Sequence, residues 1–149
     1  MESVETAASE EIRNLVAAYN AFGDRGRFDD LMELFTPDAV MEIGDGRTYE
    51  GVDQIYGIFT QTSESMASGT QPSYVQHHTS PVHITMVDED RATGRTYFSV
   101  LMTHGLDHWG RYDDEYRRVD GHWRFSRRRV KTDGTTPGGW AARRLGDES

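Results

Sequence analysis

The stretch GRYDDEYRRVDGHWRFSRRRV, residues 110–130, carries the strongest fold signal in this sequence. Asp120 and Gly121 stand between two runs in which apolar and polar residues alternate, and such alternation is typical of β-strands. An Asp-Gly pair favours a tight two-residue turn, because the central positions of that turn require positive φ angles. The stretch therefore predicts a β-hairpin that turns at Asp120–Gly121.

The residues before this hairpin extend the β-rich region. Alternating or β-branched runs predict earlier strands over residues 73–78, 82–90 and 91–105. A short strand pair is expected within residues 39–51, around a Gly-Asp-Gly turn. The polar run 63–73 contains Gly and Pro and is expected to be a loop.

The amino-terminal part has helical spacing instead. Ser9 is the expected cap of a first helix, and Gly23 its expected end. The apolar residues of this helix recur every three or four positions: Ile12, Leu15, Val16, Tyr19 and Phe22. A second helix is expected over residues 28–35, ended by Pro37, and a third over residues 53–66. Helices followed by a run of strands predict an α+β domain with the helices on one face of the sheet.

Length and composition restrict the class of protein. The 149 residues suit one domain, with a core from about residue 9 to 133 and an irregular, Gly-rich tail over 134–149. A net charge of −9 should repel nucleic-acid backbones. No apolar run approaches the roughly 18 residues of a membrane span, and the acidic first residues do not resemble a secretory signal. The chain has no cysteine, which excludes thiolate sites and fits a cytoplasmic protein.

The stretch YVQHHTSPVHI, residues 74–84, holds the most informative histidines. Strand alternation puts His77 and His78 on opposite faces, so one of them can face an interior space and the other cannot. Pro81 lacks an amide hydrogen and suggests a bulge or an edge, either of which would reset the register. Alternation alone leaves both histidines open. Their spacing does not match a helical zinc pair, so no metal is expected.

Four separated motifs resemble, in the same order, the SnoaL-like branch of the NTF2-like superfamily. They are YNAFGDRGRFDDLMELFTPDAVMEI (19–43), YEGVDQI (49–55), VQHHTSPVHI (75–84) and GRYDDEYRRVDGHWRFSRRRV (110–130). The resemblance runs from about residue 10 to residue 132. It implies a cone-shaped α+β barrel, in which a curved mixed or antiparallel sheet is covered on its concave face by the amino-terminal helices. Members of this superfamily catalyse many reactions, and some catalyse none.

The resemblance is strongest to members that are dehydratases or dehydrochlorinases, and it implies a set of catalytic residues. Those enzymes pair an aspartate just after the first helix with a histidine on a central strand. Asp24, ahead of the run LMELF, matches the aspartate, and His77 matches the histidine. Tyr19 matches a tyrosine that stands five residues before the aspartate in one member. An arginine near the end of the last strand recurs, and Arg127 or Arg129 would supply it, on the face shared with Trp123 and Phe125.

Each of these residues also has a structural interpretation. Asp24 is a good residue to cap the second helix, and Tyr19 is a good core aromatic. His83 and His108 are expected at the surface, and His78 on the outer face of the sheet. The remaining residues expected to line a substrate space are Phe22, Tyr56, Phe59, Phe98, His104, Tyr112 and Trp123.

An aspartate beside a histidine makes a base. The carboxylate accepts from one ring N–H, which leaves the other nitrogen free to take a proton near neutral pH. The resemblance thus implies a cofactor-independent lyase of the dehydratase type, or an isomerase or cyclase, that acts on a small apolar, aromatic or polycyclic compound. The competing hypothesis is a non-catalytic ligand-binding or assembly subunit, such as a ring-hydroxylating dioxygenase small subunit.

Aromatic residues occur on both faces of the predicted strands, with Tyr97 opposite Phe98. The inner face would line the substrate space, and the outer face would leave an apolar patch of the kind that marks protein contacts. We therefore expect a homo-oligomer, either a dimer or a trimer, with no nucleic-acid or membrane partner.

Overall fold

A computed structural model describes residues 2–44, 46–67 and 74–147, without the side chains of residues 2, 3 and 145–147. The described elements, in chain order, are α1 (Glu2–Asp24), α2 (Phe28–Met32), β1 (Phe35–Ile43), β2 (Arg47–Glu50), α3 (Val52–Ala67), β3 (Val75–Thr79), β4 (His83–Met86), β5 (Arg91–Met102), β6 (Gly105–Val119), β7 (His122–Thr135) and α4 (Trp140–Asp147). In the described part of the chain, no helix is long and apolar enough to cross a membrane.

The strands form one curved sheet in the order β2-β1-β7-β6-β5-β3, with β4 also paired to β5. β1 runs parallel to β7, and the other described pairs are antiparallel. Among the described residues the two ends of this order do not pair, so the sheet curves without closing. The predicted α+β class and curved mixed sheet are confirmed.

The predicted hairpin is present and joins β6 to β7. Asp120 has a φ of 52° and Gly121 a φ of 80°, as a two-residue turn with two positive φ angles requires. Val119 pairs with His122 across this turn. The turn therefore sets the starting register of the two longest strands.

The helices cover the concave face of the sheet. α1 packs on β3 and β7, and α3 packs on β1 and β2. The predicted stripe of α1 is buried at Ile12, Leu15, Val16 and Tyr19. Full burial of each aliphatic side chain stabilises the fold by about 1.5–3 kcal/mol, so this contact is a main source of stability.

Two predictions about element ends are wrong. α1 begins well before Ser9, which is therefore an interior helical residue rather than a cap. α2 ends at Met32, and Phe35 already belongs to β1, where its ring packs against that of Phe125 with centroids 5.2 Å apart. Tertiary packing thus overrides the helical spacing. Pro37 is tolerated in the strand because the β1–β7 register shifts between Phe35 and Val40.

The tail is not irregular over its described end. Residues 140–147 form α4, which packs against β6. Ala141 is buried there, and the guanidinium of Arg144 lies over the Trp140 ring, 4.7 Å from its centroid. The Gly-rich composition misled the sequence interpretation because it marks the turn before α4 and not α4 itself.

Candidate active site

A cavity of about 960 Å³ lies between the helices and the concave face of the sheet. Its size is in the upper range of pockets that bind small organic ligands. The apolar part of its lining includes Phe28, Met41, Ile43, Ile58, Phe59, Met66, Phe98, Val130 and Trp140. Asp24, His77 and His108 supply ionisable groups to the same lining, together with the exposed Arg25, Arg47, His78 and Arg144.

Asp24 and His77 meet at this cavity although they lie far apart in the sequence. The Nδ1 atom of His77 is 2.6 Å from Oδ1 of Asp24. The backbone N–H of His77 donates to Oδ2 of the same carboxylate at 2.9 Å. Asp24 is the last residue of α1, and the cap position of α2 is Arg27, which makes no side-chain cap bond. The capping interpretation of Asp24 is therefore wrong.

The contact with Asp24 determines which ring nitrogen of His77 is available. An ionised carboxylate only accepts hydrogen bonds, so Nδ1 carries the proton and Nε2 is left as an acceptor. The His77 side chain is 27% exposed, and that of Asp24 is 16% exposed. The imidazole is thus anchored on one side and accessible from the cavity on the other.

His78 lies on the opposite side of β3, as alternation predicts. It is exposed, and its Nε2 atom is 2.7 Å from Oε1 of Gln76. β3 is an edge strand without a register shift against β5. The alternation of its side chains is therefore regular, and it selects His77 as the inner histidine.

Tyr19 lies in the cavity lining at the centre of an aromatic cluster. Its ring makes edge contacts with Phe59, Tyr112 and Phe125 at centroid distances of 5.8, 5.9 and 5.7 Å. Burial raises the pKa of the Tyr19 hydroxyl to about 12, against the opposing effect of the positive charge of Arg128. The phenol therefore stays protonated at neutral pH and can donate a hydrogen bond.

β7 changes its inward face at a bulge. Tyr116 pairs with Phe125, whereas Glu115 pairs with Arg127, so Ser126 is an extra residue in β7. A bulge of one residue reverses the alternation beyond it. Side chains after Ser126 therefore point to the opposite face from the one that the sequence alone predicts.

The predicted position of the pocket arginine is wrong for this reason. Arg127 and Arg129 do not share the face of the buried Trp123 and Phe125 side chains. Both instead contact the carboxylate of Glu42 and border a smaller polar groove away from the cavity. Arg127 is 35% exposed and Arg129 is 53% exposed.

Arg128 is the arginine that the bulge turns inward. Its guanidinium is fully buried and forms a two-point contact with Asp114, at 2.8 and 3.2 Å. It lies 4.2 Å from the ring centroid of Tyr19 and 3.6 Å from that of Tyr112. Both rings line the cavity, so a permanent positive charge lies directly behind its lining.

A second histidine of the cavity, His108, is one that we expected at the surface. Val100 pairs with His77 on one side and with His108 on the other. Residues paired in this way share a face, so both imidazoles point inward, with backbones about 10 Å apart across two strand spacings. The His108 side chain is 13% exposed.

A bulge also explains why His108 has a carboxylate beside it. Val100 pairs with His108 but Leu101 with Leu106, so Asp107 is an extra residue in β6. The bulge lets adjacent residues face the same side, where regular alternation would separate them. Gly110 marks a separate bulge, because Trp109 pairs with Gly134 and Gly110 with Thr132, so Asp133 is an extra residue in β7. A Cβ on Gly110 would lie 1.9 Å from the carbonyl oxygen of Lys131.

Asp107 is fully buried and has several donors. Its Oδ2 is 2.7 Å from Nδ1 of His108 and accepts from the backbone N–H of Ala141 at 3.1 Å. Its Oδ1 is 2.8 Å from Nε2 of His104 and accepts from the backbone N–H of Trp140 at 2.7 Å. Burial acts to raise the pKa of Asp107, but the hydrogen bonds of His108 and of the two amides outweigh it and lower that pKa. The carboxylate therefore joins β6 to the start of α4.

The other predicted lining residues divide into two groups. Phe59, Phe98 and Tyr112 line the cavity, and the Phe98 and Tyr112 rings are stacked with centroids 4.6 Å apart. The four predicted residues outside the lining are Phe22, Tyr56, His104 and Trp123. Two of them have other roles: the Arg27 guanidinium covers Phe22, and Trp123 donates its backbone N–H to Glu11.

Within the part of the chain that the structure describes, no group of three or more His, Asp or Glu side chains comes together in an arrangement that could hold a metal ion. The absence of a cofactor stays a prediction. The chemistry considered below uses the side chains of the chain itself.

Comparison with known sequences gives the family. A model of the SnoaL-like domain matches residues 4–129, most of the chain. An uncharacterized protein of Mycobacterium tuberculosis strain H37Rv is 33% identical over 126 residues, which cover 79% of this chain and 80% of that protein. These matches place the chain in a family without assigning its reaction.

Known structures share the fold. A putative scytalone dehydratase from Novosphingobium aromaticivorans aligns with a TM-score of 0.78 at 23% identity, covering 91% of each chain. A hexachlorocyclohexane dehydrochlorinase, LinA-type3, from Novosphingobium barchaimii aligns with a TM-score of 0.77 at 20% identity, covering 92% of this chain and 94% of that one. The beta subunit of a putative aromatic-ring-hydroxylating dioxygenase from Novosphingobium aromaticivorans aligns with a TM-score of 0.73 at 17% identity, covering 89% and 94%. Together with the domain match, these similarities show that the chain belongs to the SnoaL-like family of the NTF2-like superfamily.

Proposed function

We propose that this protein is a cofactor-independent lyase or isomerase that removes a proton from carbon. The observation that carries the proposal is the geometry of His77. Its Nδ1 atom is held by Asp24 at 2.6 Å, and its other edge is accessible from a cavity of about 960 Å³ with a mixed apolar and polar lining. An oriented imidazole in such a cavity has the geometry of a general base.

The proposed step begins at Nε2 of His77. This atom takes a proton from a carbon next to an electron-withdrawing group, and the electron pair of the broken C–H bond stays on the substrate. In an elimination, that pair forms a double bond while the neighbouring carbon releases hydroxide or halide with its bonding electrons. In an isomerisation, a proton returns to a different carbon. Asp24 stabilises the imidazolium in both cases.

Tyr19 and Arg128 would stabilise the negative charge that develops. Tyr19 belongs to the lining and its hydroxyl is protonated, so it would donate to an oxyanion or a leaving group. Arg128 lies behind the Tyr19 and Tyr112 rings as the positive member of a buried ion pair with Asp114, so it contributes a local dipole and no net charge. Low dielectric surroundings make both effects larger than they would be in water.

The substrate class follows from the lining. Aromatic and aliphatic side chains form somewhat more than half of it, and the volume suits a molecule with one to a few rings. The names of two structural neighbours, a putative scytalone dehydratase and a hexachlorocyclohexane dehydrochlorinase, denote eliminations from ring compounds. We infer a small, mostly apolar cyclic substrate.

Hydrogen–deuterium exchange tests proton removal without knowledge of the natural substrate. The probe is 2-tetralone in D₂O, and the measurement is loss of its α-proton signal by NMR. We expect the protein to accelerate exchange and His77→Ala to return it to the buffer rate. His78→Ala is the matched control, because it removes the adjacent, outward imidazole, and it should keep the full rate.

A second probe covers the elimination branch. Chloride release from hexachlorocyclohexane is followed with a chloride electrode, again for the unmodified chain, His77→Ala and His78→Ala. Acceleration that survives in His77→Ala would overturn the assignment of the base. No acceleration of either probe by the unmodified chain would instead favour a non-catalytic subunit.

The outer face of the sheet supports a subunit contact, which both functions allow. Tyr97 is 59% exposed and Trp109 is 37% exposed on that face, since Tyr97 pairs with Arg111 and Ser99 with Trp109. We propose a homo-oligomer, dimer or trimer, that buries these rings. Sedimentation at micromolar concentration tests it, and a mass equal to one chain would contradict it.

A further inference from the structure

The cavity holds a second histidine–carboxylate pair that the proposed reaction does not use. His108 lines the same cavity as His77, with its Nδ1 atom 2.7 Å from Oδ2 of the buried Asp107. The ring is packed between Phe98 and Trp140, each with its centroid 6.1 Å from that of His108. A polar side chain this well supported in an apolar lining is a candidate binding group.

The arrangement determines what His108 can offer a ligand. Asp107 accepts from two backbone amides and contacts two imidazoles, which requires an acceptor-only carboxylate. The Nδ1 atom of His108 therefore carries the proton, and Nε2 is left as an acceptor. Burial lowers the pKa of His108, and nearby His77 adds to that effect, so the ring is neutral at physiological pH.

The position of His108 determines where such a ligand group would lie. His77 and His108 flank Val100 on the inner face of the sheet, two strands apart. Their backbones are separated by about 10 Å, roughly the length of a fused two-ring system with its substituents. Phe98 and Tyr112, stacked with centroids 4.6 Å apart, provide aromatic surface beside them.

We propose that His108 is a substrate-binding residue that accepts a hydrogen bond from a hydroxyl group at the far end of the substrate from the reacting carbon. The substrate class is thereby narrowed to hydroxylated ring compounds, phenolic or alicyclic. This inference rests on the proposed function only in treating His77 as the base. The binding of a hydroxyl group by His108 does not depend on it.

α4 has a part in this site through Asp107. The backbone N–H groups of Trp140 and Ala141 hold both carboxylate oxygens. Gly139 precedes them, and a Cβ there would lie 2.5 Å from Oδ1 of Asp107. The absence of a side chain at Gly139 therefore permits the carboxylate to reach the helix, which in turn orients His108.

The test uses three probes that differ in hydroxyl number: 2,6-dihydroxynaphthalene, 6-methoxy-2-naphthol and 2,6-dimethoxynaphthalene. Dissociation constants are measured by titration calorimetry at pH 7.5. For the unmodified chain, we expect the diol to bind about tenfold more tightly than the mono-ether, as one net hydrogen bond allows. A twofold part of that ratio is statistical, because the diol can bind in two orientations.

His108→Phe keeps a planar ring between Phe98 and Trp140 but removes the acceptor. We expect the diol and the mono-ether then to bind within about twofold of each other, while the mono-ether keeps its advantage over the dimethoxy compound through His77. In His77→Phe we likewise expect the diol and the mono-ether to bind within about twofold of each other, while the mono-ether keeps its advantage over the dimethoxy compound through His108. Retention of the tenfold ratio in His108→Phe, or equal affinity of the unmodified chain for all three probes, would overturn the proposal.

Two further measurements keep the result interpretable. His108→Gln offers a side-chain oxygen and should retain part of the preference for the diol, which separates loss of the acceptor from damage to the fold. His77→Ala should lose exchange but still bind the mono-ether more tightly than the dimethoxy compound through His108, which would separate the two proposals.

Discussion

Two histidine–carboxylate pairs line one cavity, and they are built differently. In the first, Asp24 and His77 come from α1 and β3, and the carboxylate bonds both the ring and the backbone of the same histidine. In the second, Asp107 and His108 are neighbours in β6, and the carboxylate is shared with His104 and with the amides of α4. The first pair is partly exposed, whereas Asp107 is sealed from solvent.

This difference gives the two carboxylates different main roles, catalysis for Asp24 and stability of the fold for Asp107. The only task of the Asp24 carboxylate that the described contacts show is to hold His77, so its removal should affect chemistry more than folding. The Asp107 carboxylate satisfies buried donors from two elements, so its removal should affect folding more than chemistry. The four predictions below test this contrast.

The largest expected effect is on catalysis. Asp24→Asn keeps the shape of the side chain but removes its charge. The amide also no longer selects the form of His77 that is protonated at Nδ1. We expect proton exchange of 2-tetralone to fall by about 10²–10⁴-fold. Asp107→Asn, compared at a temperature at which both variants are folded, should change the rate by less than about threefold. Equal losses in the two variants would remove the distinction between the pairs.

The next effect is on stability, and here the removal of Asp107 should cost more than the removal of Asp24. Asp107→Ala leaves the amides of Trp140 and Ala141 and the ring of His108 without their partner in a buried site. Each unsatisfied group costs about 1–3 kcal/mol, and with partial relaxation we expect the free energy of unfolding to fall by about 2–4 kcal/mol. Asp24→Ala should cost about 1 kcal/mol or less, because water can reach its partners. Urea denaturation of both variants measures this, and a larger cost for Asp24→Ala would contradict it.

A smaller effect is expected at the hydroxyl beside the first pair. Tyr19→Phe removes a donor but keeps the ring in its aromatic cluster, so we expect about a tenfold lower exchange rate with nearly unchanged stability. Tyr74→Phe is a suitable control, since that residue also borders the cavity but is 49% exposed. Similar rates for both variants would argue against a role for the Tyr19 hydroxyl.

The smallest effect concerns pH. Burial lowers the pKa of His108 below its usual value of 6.5, so the unfolded chain binds a proton more readily than the folded one. This contribution to stability is complete above pH 6.5 and is lost as the pH falls toward the folded pKa of His108. His108→Phe should therefore lessen the decrease in unfolding free energy between pH 7 and 5, by about 1 kcal/mol or less. The same change of unfolding free energy with pH in His108→Phe and in the unmodified chain would contradict this prediction.

The success of sequence prediction differed between strands for one physical reason. β3 has no register shift, so alternation correctly separated His77 from His78. β6 contains one extra residue, Asp107, and β7 contains two, Ser126 and Asp133, and alternation gave the wrong face for the side chains after Ser126. His108 and Arg128 were missed at the cavity because a bulge depends on how two strands pair, which a single strand does not reveal.

The sequence by itself determined the α+β class, the stripe of α1, the hairpin at Asp120–Gly121 and the family, because these depend on local spacing, on turn chemistry and on motif order. Only the tertiary structure decided that Asp24 reaches His77 instead of capping a helix, that Arg128 replaces Arg127 and Arg129 behind the cavity, and that α4 supports a second imidazole. These outcomes depend on the register of neighbouring strands and on contacts between residues far apart in the chain. Such pairings are settled by which arrangement buries apolar surface and satisfies buried polar groups together.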